Sequence, residues 1–131
     1  MTGSSRISTE LHSPPPPELV VWDDEHLRVV REHACFRALS WRCVVAVAPE
    51  WGRLVEHLTA GRWRDTSRLP RVVELMHRDG HRLVILPFSG RVVLQVSYAV
   101  AALQRPACAT RLAEELATTL AGLTPPPPDG R

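Results

Sequence analysis

A helix near the C-terminal end dictates the rest of the layout. Pro106 is suited to open it. Ala109, Leu112, Ala113, Leu116, Leu120 and Leu123 then form one apolar stripe about 100° wide, with Arg111, Glu114, Glu115 and Thr118 outside it. Gly122 suits its C-terminal cap. Such a face needs an apolar layer beneath it, and the preceding chain supplies one in the form of strands.

The strands are legible from period-two alternation. "ELVVW" at 18–22 is a short strand closed by the turn formers Asp23 and Asp24, and 27–31 is a second. The longest covers 35–47. Arg37, Leu39, Trp41, Cys43, Val45 and Val47 share one side of it, opposite Phe36, Ala38, Ser40, Arg42, Val44 and Ala46. Two further runs, 81–88 and 91–97, flank Ser89-Gly90 and predict a hairpin. Pro87 argues that its strand lies at a sheet edge. A buried helix over 92–103 is the competing assignment.

Helical spacing recurs twice upstream. Pro49 opens a helix in which Trp51, Leu54, Val55 and Leu58 share a face, and Gly61 ends it. Pro70 predicts a short helix over "PRVVELMHR", ended by Asp79-Gly80. The expected fold is therefore α+β: about five mostly antiparallel strands with two or three helices on one face. Proline tetrads at 14–17 and 125–128 favour polyproline II and cannot join a packed core. They predict a tail over 1–17, one domain over 18–123 and a second tail over 124–131, the tetrads serving as spacers.

Composition limits the chemistry. The net charge of +2 does not by itself mark a nucleic-acid binder, and all 16 basic residues are arginine. The absence of lysine, like that of asparagine, reads as the codon bias of a GC-rich genome. It excludes Schiff-base and pyridoxal chemistry, the phosphate-binding loop and protein-kinase chemistry, all of which need a lysine amine. The first residues lack the apolar run of a signal peptide. The 92–103 run is too short to span a bilayer, and Cys35, Cys43 and Cys108 form an odd set. A cytoplasmic location away from membranes, with reduced thiols, is the expectation.

Four clusters invite chemical readings. Asp23, Asp24, Glu25 and His26 offer oxygen and imidazole ligands, but adjacent residues cannot all face one ion, and turn chemistry explains them better. His33 and Cys35 share a strand face, with Cys43 elsewhere; zinc would need a fourth ligand and closer pairing. No metal or cofactor is therefore expected. His77, Asp79 and His81 straddle the Asp-Gly turn. With Arg78 and Arg82, His77 and His81 are the alternative catalytic set, a metal-free ribonuclease that would use the RNA 2′-hydroxyl as nucleophile. Finally, "GRWRDTSRLPR" gathers Arg62, Trp63, Arg64, Arg68 and Arg71 in a segment between two expected helices, the residue types enriched in interface hot spots.

No complete catalytic set is present. The expectation is a small non-catalytic protein-binding or regulatory domain that self-associates or engages another protein. Arg62, Trp63, Arg64, Arg68 and Arg71 are its contact residues, and the hairpin 81–97 is its free pairing edge. RNA binding or RNA cleavage is the alternative.

Overall fold

The computed structural model describes residues 19–32 and 39–123. The proline tetrads, both tails and the pair His33 and Cys35 lie outside them, as do residues 33–38 of the long 35–47 run. The described chain runs β1 (Val20–Asp23), β2 (Leu27–Arg31), β3 (Ser40–Val45), α1 (Trp51–Thr59), β4 (Trp63–Asp65), β5 (Val73–His77), β6 (Arg82–Leu86), β7 (Arg91–Gln95) and α2 (Arg105–Leu123). The 3-10 turn Ala102–Gln104 leads into α2. All seven strands join one antiparallel sheet in the order β1-β2-β3-β7-β6-β5-β4. The class is α+β as expected, with two more strands than the alternation suggested.

Register explains how the core forms. Residues directly opposite one another on paired strands share a face, and one row runs Val29, Cys43, Val92, Ile85 and Val73. The next runs Arg31, Trp41, Leu94, Leu83 and Leu75. These rows meet the helices. Leu54 and Leu58 of α1 and Ala109, Leu112, Ala113, Leu116 and Leu120 of α2 are buried in the same cluster. Both helical stripes thus fall where the spacing put them. Trp41 is the largest wholly buried side chain, pinned between β2 and β7. No helix among the described residues is long and apolar enough to cross a membrane.

Three local expectations need correction. Residues 70–78 are not a helix: Pro70 sits in a turn and Val73–His77 is β5. Its alternation decides, since Leu75 and His77 are buried while Glu74 and Met76 are half-buried on the other face. The amide of Glu74 donates to Ser67 Oγ at 2.9 Å, and its carbonyl accepts from Thr66 Oγ1 at 3.1 Å, fixing the bend into β5. Sheet pairing overrides the helical propensity of so short a segment. Second, 91–95 is strand β7, and of the rival helix over 92–103 only the last two residues are helical, in the 3-10 turn Ala102–Gln104. Third, the 81–97 hairpin is no edge. Its strands β6 and β7 lie in the middle of the sheet, and Pro87 follows β6 in the turn, where Gly90 takes φ +75°. The edges are β1 and β4.

Candidate binding site

At one end of the sheet, β4, β5 and β6 bring Trp63, His77 and His81 under α2. Trp63 stands opposite His77 in the ladder. It is buried, and its indole N–H donates to Glu115 Oε1 of α2 at 2.8 Å. The Trp63 and His77 rings meet edge to face, with centroids 4.9 Å apart and an interplanar angle of 77°. Trp63 is therefore part of the core in a strand and not an exposed contact residue in a loop. Its place beside two arginines in sequence concealed that, because its neighbours Arg62 and Arg64 are the ones facing water.

The turn at 78–80 brings His77 and His81 together, with ring centroids 5.1 Å apart. Both are buried, on the helix-covered side. The Asp79 amide donates to His77 Nδ1 at 3.0 Å, and the Ser97 amide donates to His81 Nδ1 at 2.9 Å. A nitrogen that accepts an amide proton has no proton of its own, so each neutral ring carries its hydrogen on Nε2. His81 Nε2 meets Cys108 Sγ of α2 at 3.5 Å, an N–H···S contact. Burial lowers the pKa of His77, against the opposing pull of Glu115 and Asp79. Burial and then the neighbouring His77 lower that of His81. Burial pushes the Cys108 thiol up, and that of Cys43 up to about 12. Both rings and both thiols thus stay neutral near pH 7, which suits packing better than proton transfer.

One donor atom from each of His77, Asp79 and His81 lies within 4.8 Å of the others. The set is poorly arranged for an ion. The Nδ1 lone pairs are engaged by amides and each Nε2 bears a proton, so a metal would have to displace a backbone hydrogen bond. The remaining members of the alternative catalytic set diverge: Arg78 is exposed in the turn, and Arg82 lies on the opposite sheet face, 3.2 Å from Glu74. The acidic run after β1 serves turn chemistry. Asp24 Oδ1 accepts the amides of His26 at 2.7 Å and Leu27 at 2.8 Å, while Oδ2 accepts the Trp22 indole N–H at 2.9 Å. Burial opposes them, yet these donors hold the Asp24 carboxyl below its ordinary range.

Of the expected contact arginines, Arg62 and Arg64 line one concavity at the β4 edge, together with Arg78 and His77. Arg68 and Arg71 are exposed elsewhere, and the Arg71 guanidinium lies 6.0 Å from the centroid of the exposed Phe88 ring. The five do not form one surface.

A feature the sequence could not reveal is the face turned away from the helices. Its central row crosses β3, β7, β6 and β5 as Arg42, Val93, Val84 and Glu74. Val44, on the same face, is 46% exposed, and Val84, Val93, Met76 and Leu86 are half-buried. No helix of the described residues covers this face: α2 packs on the β1–β2 side of the core, α1 on α2 and β4. Antiparallel sheets commonly turn a polar face to water, whereas this one sets two valines between an arginine on β3 and a glutamate on β5, and beyond Arg42 the row continues to the buried Val30 of β2. Comparison with known proteins finds no matching family model, no similar curated protein and no similar solved structure.

Proposed function

We propose that this protein is a non-catalytic interaction domain that binds through the helix-free face of its sheet, and that a second copy of the chain is its partner. One observation carries the reading: the Arg42–Val93–Val84–Glu74 row is self-complementary. A two-fold axis parallel to the strands and between β6 and β7 lays Val93 over the partner's Val84. The same axis lays Arg42 over the partner's Glu74, and both contacts occur twice. Two sheets packed face to face stand about 10 Å apart, a gap that interdigitated valines fill. An isologous contact of this kind closes on itself, giving a dimer and not a fibre.

The buried, neutral histidines favour binding over catalysis, and two buried free cysteines, Cys43 and Cys108, fit a reducing cytoplasm. Sedimentation equilibrium of the full chain tests the reading. The wild type should pass from monomer to dimer as concentration rises, and Val84→Glu should remain monomeric with an unchanged circular dichroism spectrum. A wild type that stays monomeric at the highest attainable concentration would defeat the reading.

A further inference from the structure

The concavity at the β4 edge concentrates positive charge that nothing on its wall balances. Arg62, Arg64 and Arg78 line a cleft of about 470 Å³, with Met76, His77 and Gly80 contributing to its wall and no carboxylate among the lining residues. None of the three arginine side chains forms an ion pair among the described residues, whereas three other arginines of the sheet do: Arg28 with Asp23, Arg82 with Glu74 and Arg91 with Glu32. The backbone holds the cations close. The Arg78 amide donates to the Arg62 carbonyl at 3.0 Å, tying the start of β4 to the β5–β6 turn. Gly80 in that turn has φ +93°, a conformation that L side chains resist. The cluster therefore comes from a rigid strand–turn junction and not from a loose loop. His77 adds a second observation. Its side chain is 3% exposed, and its Nε2–H is a buried donor without an acceptor among the described residues.

Three guanidinium groups held together repel one another, and an anion relieves that repulsion while accepting forked hydrogen bonds. The number of cations selects the charge. A carboxylate or an internal phosphodiester brings one negative charge, whereas a terminal phosphate brings about two near neutral pH. The volume lies within the range of small-molecule sites, roughly 300–1,000 Å³. We propose that this cleft binds a phosphate dianion, carried as the terminal monoester of a small phosphorylated molecule. The cleft borders the helix-free face, since its wall residues Arg64 and Met76 stand opposite each other there, but none of its three arginines belongs to the Arg42–Glu74 row.

The test is calorimetric titration of the full chain with inorganic phosphate, adenosine 5′-monophosphate and adenosine 3′,5′-cyclic monophosphate. The two nucleotides share base and sugar but differ as dianionic monoester and monoanionic diester. The monoester should bind roughly tenfold or more tightly than the cyclic diester, about 1.4 kcal/mol by the affinity relation. Arg62→Gln/Arg78→Gln should lose a similar factor, while Arg68→Gln keeps wild-type affinity; Arg78→Gln alone is the fallback should the double variant misfold. Phosphate binding as tightly as the monoester would support the anion site and name free phosphate as its source. Equal affinity for the two nucleotides, tighter binding of an oligonucleotide lacking terminal phosphates, unaltered affinity in the variants, or no binding of any probe would overturn the proposal.

Discussion

Replacing Trp63 with phenylalanine should destabilise the domain by about 2–3 kcal/mol, a magnitude that follows from two contributions. The indole is 6% exposed and its N–H donates to Glu115 Oε1 at 2.8 Å. Hydrogen bonds to charged groups contribute about 1.5–3 kcal/mol net. Glu115 is half-buried and can turn toward water once its donor is lost, which favours the lower end, about 1.5 kcal/mol. The smaller ring leaves unfilled space against His77 and α2, adding on the order of 1 kcal/mol. In a domain of this size each kcal/mol lowers Tm by about 4–8 °C, so a fall of roughly 10–20 °C is expected. Urea denaturation followed by far-ultraviolet circular dichroism measures it. Arg64→Gln, one residue along and exposed, serves as control and should stay within about 0.5 kcal/mol of wild type. Trp63→Phe and Glu115→Ala should also be non-additive by about 1 kcal/mol, because each removes one side of a shared contact. If Trp63→Phe matched the Arg64→Gln control, the indole would not be where the ladder and α2 hold it, and the reasoning would fail.

The buried histidines give a pH dependence with a definite sign. Unfolded His77 and His81 take up protons near pH 6.5 while the folded rings resist them, so stability is full above that value and falls as pH drops below it. The slope should approach about 1.4 kcal/mol per pH unit for each ring, and His77→Gln/His81→Gln should flatten it in denaturation curves between neutral and mildly acidic pH. In a Cys35→Ser background, Cys43 and Cys108 should react with a thiol reagent far more slowly than the unfolded chain, since burial keeps both protonated; native rates equal to those in denaturant would contradict that. Gly80→Ala should lose about 1–2 kcal/mol, for φ is +93° and an added Cβ would lie 3.2 Å from Ser97 Oγ. Gly52→Ala, with open space around it, is the matched control.

Periodicity revealed the layers because each element packs in one principal way. The α2 stripe and Trp51, Leu54, Val55 and Leu58 of α1 were readable, since every third or fourth residue meets the same sheet. Segment 73–77 was not: five residues starting soon after a proline match a helical turn as well as a strand, and only pairing with β4 and β6 decides. Pro87 misled for a related reason. Proline excludes itself from a ladder, but β6 ends at Leu86, so the residue marks a turn in the sheet's centre and not an edge. The candidate site was harder still. Arg62 and Arg64 were singled out, yet Arg78 joins them only through the β5–β6 turn. Arg42 and Glu74 are 32 positions apart, and strand order, not spacing, puts them in one row, on either side of Val93 and Val84.

Charge reversal across that row tests the central claim most directly. Arg42→Glu and Glu74→Arg, each alone, should place like charges together in the dimer and yield monomers by sedimentation equilibrium. The two reversals in one chain should restore association part of the way toward the wild-type constant, since each contact across the axis then regains an opposite sign while the Arg82–Glu74 pair within the chain stays lost. If the double reversal stays as monomeric as either single one, or if the single reversals dimerise like the wild type, the two-fold contact through this sheet face does not exist.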